Sequence, residues 1–456
     1  MEDVVIALLA GLAGGALSVR ARTTPLLGWV ALAPLGVALR DCGAAAGITA
    51  ALTLAAAVVA PCWTQTMRRL APRALAPTVL SAAVGGVVAG WLLQDRAGAW
   101  LYVALPCVAL LATQPLRWLG APRWIANPLA CTQEPWRAVV HVARAGDDRA
   151  VTALLAVAGA SIALALPIPV VEPIAAASGA LFVVVALGLG FLAMRHAERR
   201  VDRAPRVRVA AVVSDVPPPS GAPMNAYWPI QSPQYRDVAL ARSRYAPLIR
   251  DAASRGVELV VLPEVAVTLD TPRREEWIEV ARDWAREHAI TIVAPFFELR
   301  PSGAASVNTL RVLDPDGAES TYDKQHVEPG VEPPASRDRA RRAHPSAHRA
   351  WPLHTVICVD LDYPDLVRPV RDGGGLLAAP ANDWLDGFEE VHHRTAIWAA
   401  VCSGVSVVRA TGHGISSVID AAGRTLARAC SRGEPVVLVV DAPLVEGSAR
   451  RGGAVN

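Results

Sequence analysis

Apolar and polar positions divide this chain into two halves with different rhythms. Up to residue 194 the pattern is long apolar runs with short polar breaks, at 4–19, 24–39, 45–63, 76–93, 98–114, 150–168 and 173–194. Several of these approach the roughly 20 residues that a bilayer core requires, while 24–39 and 98–114 are short. They predict about seven transmembrane helices in a membrane domain spanning 1–194. The first run lacks a basic lead and an evident cleavage site, which favours a retained anchor over a signal peptide. The longer polar stretch 113–149 carries Trp118, Trp124, Trp136 and several arginines, a mixture suited to a headgroup layer. Residues 195–206 are dense in charge and are expected to be a linker.

Beyond the linker, short continuous apolar runs alternate with helix-like segments. Strands are predicted at Arg208–Val213, Val257–Leu262, Ile290–Phe296, Val307–Leu313, Ser320–Lys324, 354–359 and Gly375–Ala381, with later ones at Val405–Ala410, Ile415–Ile419 and Pro435–Val440. Helices are predicted at Tyr235–Arg255, Pro272–His288 and Val391–Cys402. Strands apolar throughout are buried on both faces, so the second half should be a layered α/β domain at 207–445. Residues 446–456 are expected to be a disordered tail.

Composition reinforces the membrane reading. Of 456 residues, 53% are hydrophobic and 19% charged, and the mean hydropathy is +0.32. That is too apolar for an ordinary soluble protein of this size. A net charge of +3 gives no support to a nucleic-acid partner. The seven cysteines show no zinc-site spacing and no disulfide framework, and nothing calls for a metal or an organic cofactor. Orientation is contested: with a cytoplasmic N-terminus, seven spans place residues after 194 outside, yet most arginines of the apolar half would then also be outside, against the positive-inside rule.

Three reactive side chains stand at the polar tips of predicted strands. Glu264 follows Val-Val-Leu-Pro, Lys324 follows Ser-Thr-Tyr-Asp, and Cys358 follows His-Thr-Val-Ile. Taken alone, Cys358 reads as a small core thiol. Together, the three strand ends form a set able to transfer acyl groups. Glu264 would deprotonate the thiol. Lys324 and the backbone N–H of Val359 would stabilise an oxyanion.

These residues resemble the nitrilase (carbon–nitrogen hydrolase) superfamily through Leu262-Pro263-Glu264, Tyr322-Asp323-Lys324-Gln325-His326 and Ile357-Cys358-Val359-Asp360-Leu361-Asp362-Tyr363-Pro364-Asp365. The resemblance implies a multi-span α-helical membrane domain followed by an α/β nitrilase-like αββα sandwich with a Glu-Lys-Cys triad. It also implies a second active-site glutamate, for which Glu332 stands eight residues beyond Lys324. Within the superfamily, Leu26–Leu35, Asn127–Gln133, Asn382-Asp383-Trp384 and Arg409–Asp420 resemble apolipoprotein N-acyltransferases. That family implies transfer of a fatty acyl chain from a phospholipid donor, through a thioester, to the N-terminal amine of a diacylglyceryl lipoprotein acceptor. The catalytic domain would then face away from the cytoplasm at the cell membrane. The resemblance also suggests substrate contacts at Tyr227, Trp228, Asn382 and Trp384. The chain departs from that family at Val359-Asp360, closer to soluble nitrilases, and at Cys402, where the family often has a glutamate. A membrane-anchored amidase with the same triad is the alternative.

Overall fold

A computed structural model describes residues 2–59, 67–93, 98–118, 123, 127–166, 172–214, 230, 232–300, 306–327, 351–383 and 389–447. The chain divides into two compact units, Met1–Arg195 and His196–Asn456.

The first unit is helical: α1 (Glu2–Arg20), α2 (Ala33–Asp41), α3 (Ala46–Val59), α4 (Met67–Leu93), α5 (Leu101–Trp118), α6 (Arg137–Gly146), α7 (Asp148–Ala165) and α8 (Pro173–Arg203). Among the described residues, four segments are long and apolar enough to cross a membrane: Glu2–Arg20, Leu75–Leu93, Asp148–Ala165 and Pro173–Arg203. Gly43–Ala57 and Gly98–Ala112 are shorter apolar helices. The expected span at 24–39 is not one helix. It breaks into a 3₁₀ turn, Pro25–Trp29, and the nine-residue α2, which is only ~14 Å long. Large apolar side chains point outward from α8: Leu181, Phe182, Val184, Leu189 and Leu192 are each 58–64% exposed. A contiguous apolar exterior of this kind suits lipid rather than water. Inside the unit, small residues set the packing. A Cβ on Gly90 of α4 would collide with the carbonyl oxygen of Gly43, so the backbones there approach closely.

The second unit is a sandwich of two main sheets. Its first sheet runs β14 (Val436–Pro443), β1 (Arg206–Val213), β2 (Leu259–Val261), β4 (Thr291–Leu299), β5 (Val307–Leu313) and β6 (Glu319–Asp323), with β3 (Thr268–Asp270) beside β4. The second runs β13 (Thr425–Cys430), β12 (Ile415–Ile419), β10 (Ser406–Arg409), β8 (Gly374–Ala378) and β15 (Val445–Glu446), with β7 (Leu353–Thr355) beside β8. A small parallel pair, β9 (Ala381–Asn382) with β11 (Thr411–Gly412), extends from it.

The continuous apolar pattern of the strands follows from this layering. Val207, Val209, Ala211 and Val213 of β1 enter the core between the sheets. The alternate Ala210 and Val212 face α9 (Val238–Ser254) and α10 (Arg274–His288), where Tyr245, Trp277 and Trp284 fill the outer layer. Helix α11 (Glu389–Ser403) packs on β10 and β12, completing an αββα order.

Two expected boundaries move. Residues 195–203 are not a linker but the last turns of α8, because Ala197 and Val201, one turn apart, bury against Ala421, Ala422 and Val445 while Arg195, Arg199, Asp202 and Arg203 point outward. Nor does the ordered chain stop at 445: Glu446 pairs with Gly374, and its carbonyl accepts a 2.7 Å hydrogen bond from Arg200.

Candidate active site

Each of the three reactive residues lies just past a short strand. Glu264 follows β2 and Lys324 follows β6. Both strands run the same way, since β5 is antiparallel to β4 and to β6 while β2 is parallel to β4. Cys358 follows β7. The edges of the two sheets meet here: the Glu264 amide donates to the Ala381 carbonyl at 3.3 Å, and the Cys358 amide donates to Pro380 at 2.7 Å. Open α/β sheets gather polar groups at such carboxyl ends.

Cys358 is not the last residue of a strand, as its apolar approach predicts. β7 ends at Thr355, and Cys358 begins a 3₁₀ turn, Cys358–Asp362, with φ of +52°. Val265, directly after Glu264, has φ of +54°. Left-handed backbone is uncommon for any residue but glycine and is a costly outlier at a β-branched one such as Val265; both positions belong to the same cluster. The tight turn holds Cys358 where an extended strand would carry it past the cluster.

All three side chains are buried, with the cysteine 9% exposed. Lys324 Nζ donates to Glu264 Oε1 at 2.8 Å, and Asn308 Nδ2 donates to the same oxygen at 2.7 Å. The Lys324 amide is pinned to the Asn308 carbonyl at 2.9 Å. Asn382 Nδ2 donates to the Glu264 carbonyl at 2.7 Å, and the Asn382 carbonyl lies 3.9 Å from Cys358 Sγ. A Cβ on Gly412 would collide with Asn382 Oδ1, so only glycine leaves this amide in place. Burial pushes the Cys358 thiol well above its usual range; the Glu264 carboxylate adds to the rise, and the Lys324 ammonium opposes it. In this closed arrangement the sulfur therefore holds its proton, with a carboxylate and an ammonium close by.

Behind the thiol lies a second, fully buried set. Arg409 Nη2 donates to both oxygens of Asp383 at 2.8 Å, and His392 Nδ1 sits 2.7 Å from Asp383 Oδ1. Arg409 Nη1 donates to the Ile415 carbonyl at 2.7 Å. Arg409 and His392 hold the Asp383 carboxyl below its usual range despite complete burial.

A third connection joins the cysteine turn to the lysine segment. Asp360, wholly buried, accepts from the Tyr322 hydroxyl at 2.7 Å, the Gln325 amide at 3.1 Å and the His326 amide at 2.8 Å. The rings of His326 and Tyr363 stack with centroids 3.4 Å apart.

The structure thus brings Glu264, Lys324, Cys358, Val359 and Asn382 together. Val359 is the second residue of the cysteine turn and is buried. Asn382 binds the backbone of Glu264 rather than projecting freely. Tyr227, Trp228, Glu332 and Trp384 lie outside the described residues. Two members of the cluster escape sequence reasoning, Asn308 and His392. Asn308 stands in a strand that also carries Thr309 and Arg311, and His392 in a mixed helix, and neither position announces a contact. The arrangement can do thiol chemistry on a carbonyl: a buried nucleophile, a carboxylate able to take its proton, and a cation and backbone N–H able to meet negative charge on oxygen.

Residues 230–451 match the carbon-nitrogen hydrolase family. No curated protein matches the chain in sequence. Similar solved structures include an amidase of the nitrilase superfamily from Nesterenkonia AN1, 19% identical over 53% of this chain and 92% of that one, with a TM-score of 0.43. Nit3 of Saccharomyces cerevisiae, of branch 10 of that superfamily, is 19% identical over 55% of this chain and 96% of its own, at 0.42. XC1258 of Xanthomonas campestris, a CN-hydrolase superfamily protein, is 19% identical over 52% and 90%, at 0.40.

Proposed function

Residues 230–451 are a carbon–nitrogen hydrolase domain, and from that premise we propose that the chain is a membrane acyltransferase of the apolipoprotein N-acyltransferase type. Glu264, Lys324 and Cys358 would be its catalytic residues, with Val359 and Glu332 in support. Tyr227, Trp228, Asn382 and Trp384 would line the substrate site. The observation that carries the reading is the buried Glu264–Lys324 pair beside Cys358 in a chain whose described residues include four apolar helices of membrane length.

The proposed chemistry has two halves. Glu264 takes the thiol proton as sulfur attacks the ester carbon of a phospholipid, and Lys324 with the Val359 N–H stabilises the oxyanion. Collapse expels the lysophospholipid alkoxide, which receives the proton from Glu264 and leaves an acyl thioester on Cys358. The α-amine of a diacylglyceryl-cysteine at a lipoprotein N-terminus then attacks the thioester. Its proton passes through Glu264 to the departing sulfur, and an amide remains. Both substrates are lipids, which accounts for apolar helices in a thiol enzyme. Meeting such an acceptor requires the catalytic domain to face away from the cytoplasm at the cell membrane.

One observation favours the second reading, a membrane-anchored amidase. Val359-Asp360 follows the cysteine, as in soluble nitrilases, and water could resolve the same thioester.

Incubating the purified chain with phospholipid vesicles and measuring its intact mass tests the first reading. An acyl increment mapping to Cys358, discharged by a diacylglyceryl-cysteine peptide, is expected. Rapid hydrolysis of small amides without any lipid adduct would replace it with the second.

A further inference from the structure

The Asp360 carboxylate binds the chain on both sides of Lys324: Tyr322 two residues before it, Gln325 and His326 directly after. Of its three donors, two are backbone amides, which cannot rotate to suit a changed acceptor. The ammonium of Lys324 itself is directed at Glu264. Asp360 is thus a clasp from the cysteine turn onto the five-residue stretch that carries the cation, and the stacked His326–Tyr363 pair closes the same joint.

We propose that Asp360 is a positioning residue: it fixes the aim of Lys324 relative to the Cys358 thiol, and it loses that hold on taking up a proton. The inference rests on reading Cys358 as the nucleophile. A protonated carboxyl keeps only part of its acceptor capacity, so at least one of the three donors is weakened. Burial pushes Asp360 up to about 7, against the pull of Lys324 and the three hydrogen bonds, which brings the change into the neutral range. The groups acting on it are Lys324, the Tyr322 hydroxyl and the amides of Gln325 and His326; Asp323 and Asp365 act in turn on Tyr322, and Asp362 lies two residues further along the same turn. His392 of α11 lies 3.7 Å from Asp362.

The sign of one shift separates this role from a direct charge effect. The main charges acting on the thiol are Glu264, Lys324 and Asp383, and of these Lys324 lowers its pKa. Removing a nearby negative charge would ease thiolate formation. Losing the placement of Lys324 would hinder it.

The test is alkylation of Cys358 by iodoacetamide across pH 5–10 in the full chain in detergent, read by mass spectrometry of the Cys358 peptide, with a thermal midpoint for each variant. No substrate is involved, so failure of the acyltransferase reading leaves the result interpretable. Asp360→Asn should slow alkylation about tenfold at pH 8, equivalent to one unit upward in thiol pKa. It should also remove a component of the wild-type profile that falls away below about pH 7. Tyr322→Phe removes one donor and should shift the profile in the same direction by less; it decides the matter if Asp360→Asn does not fold. A wild-type profile, or faster alkylation, in the folded variant overturns the proposal.

Discussion

Two buried charge clusters stand on either side of Cys358, built from the same kinds of residue and arranged to opposite effect. In the set behind the thiol, Arg409 meets both oxygens of Asp383, His392 caps one of them, and the carboxyl is held in its charged form. In the front set, Lys324 and Asn308 both converge on a single oxygen of Glu264, and the adjacent thiol is pushed toward its neutral form. In the rear set Arg409 and His392 together offset one carboxylate, which itself helps to raise the thiol, whereas the front set supplies both the carboxylate able to take the thiol proton and the ammonium that opposes the rise. Burial by itself marks neither kind. What separates reactive from structural charge is whether a nucleophile shares the site.

The largest expected effect comes from the front set. Cys358→Ser, Glu264→Gln and Lys324→Ala should each lower acyl transfer from phospholipid to a diacylglyceryl-cysteine peptide on the order of 10⁴-fold. Cys358→Ser should leave the thermal midpoint near wild type, while Glu264→Gln and Lys324→Ala each break a buried ion pair and should lower it, as scanning calorimetry would check. Retained transfer in any of them would end the proposed mechanism. The rear set should answer in the other currency: Asp383→Ala leaves the Arg409 guanidinium buried and uncompensated and should cost about 3–5 kcal/mol in denaturant unfolding. If that variant unfolds like wild type but loses transfer, the division between the clusters is wrong.

Gly412→Ala sits between the two and should sharpen the boundary. The new methyl group must displace the Asn382 amide, which holds the Glu264 carbonyl. A loss of about 1–3 kcal/mol from overpacking is expected. Transfer should fall about 10–100-fold from the misplaced carboxylate. The smallest effect is a pair of opposite shifts in the alkylation profile of Cys358. Glu264 raises the thiol pKa and Lys324 lowers it. Glu264→Gln should therefore move the rise in reactivity to lower pH, and Lys324→Ala to higher pH. Shifts in a common direction would mean that charge does not govern the thiol.

The front set was legible in the chain because each member stands at the end of a strand-like segment and inside a motif, a placement that layered sheets produce at one edge. The rear set was only half legible. Asp383 and Arg409 stood in motifs, but their union with His392 spans separations of 9, 17 and 26 residues that no local periodicity encodes. The turn at Cys358 was misread as strand because Val356 and Ile357 continue the apolar run past Thr355; a positive φ leaves no signature at a cysteine. The end of α8 was misread as linker because its many charges mask the spacing of Ala197 and Val201. Orientation in the membrane is the coarsest gap. Cys430 is exposed, so an impermeant thiol reagent applied to intact cells should label it if the catalytic domain faces outward.

Val265 carries a wider consequence. A β-branched residue in left-handed backbone is a standing deficit of about 1–3 kcal/mol, one residue from the carboxylate of Glu264. Glycine would relieve it. A laboratory selection for heat resistance alone would therefore be drawn to this position early, and the hardier proteins it yields would be the ones whose acid–base group has come loose. The sequence keeps valine there at a loss in robustness, so thermal endurance and turnover trade against each other at a single codon.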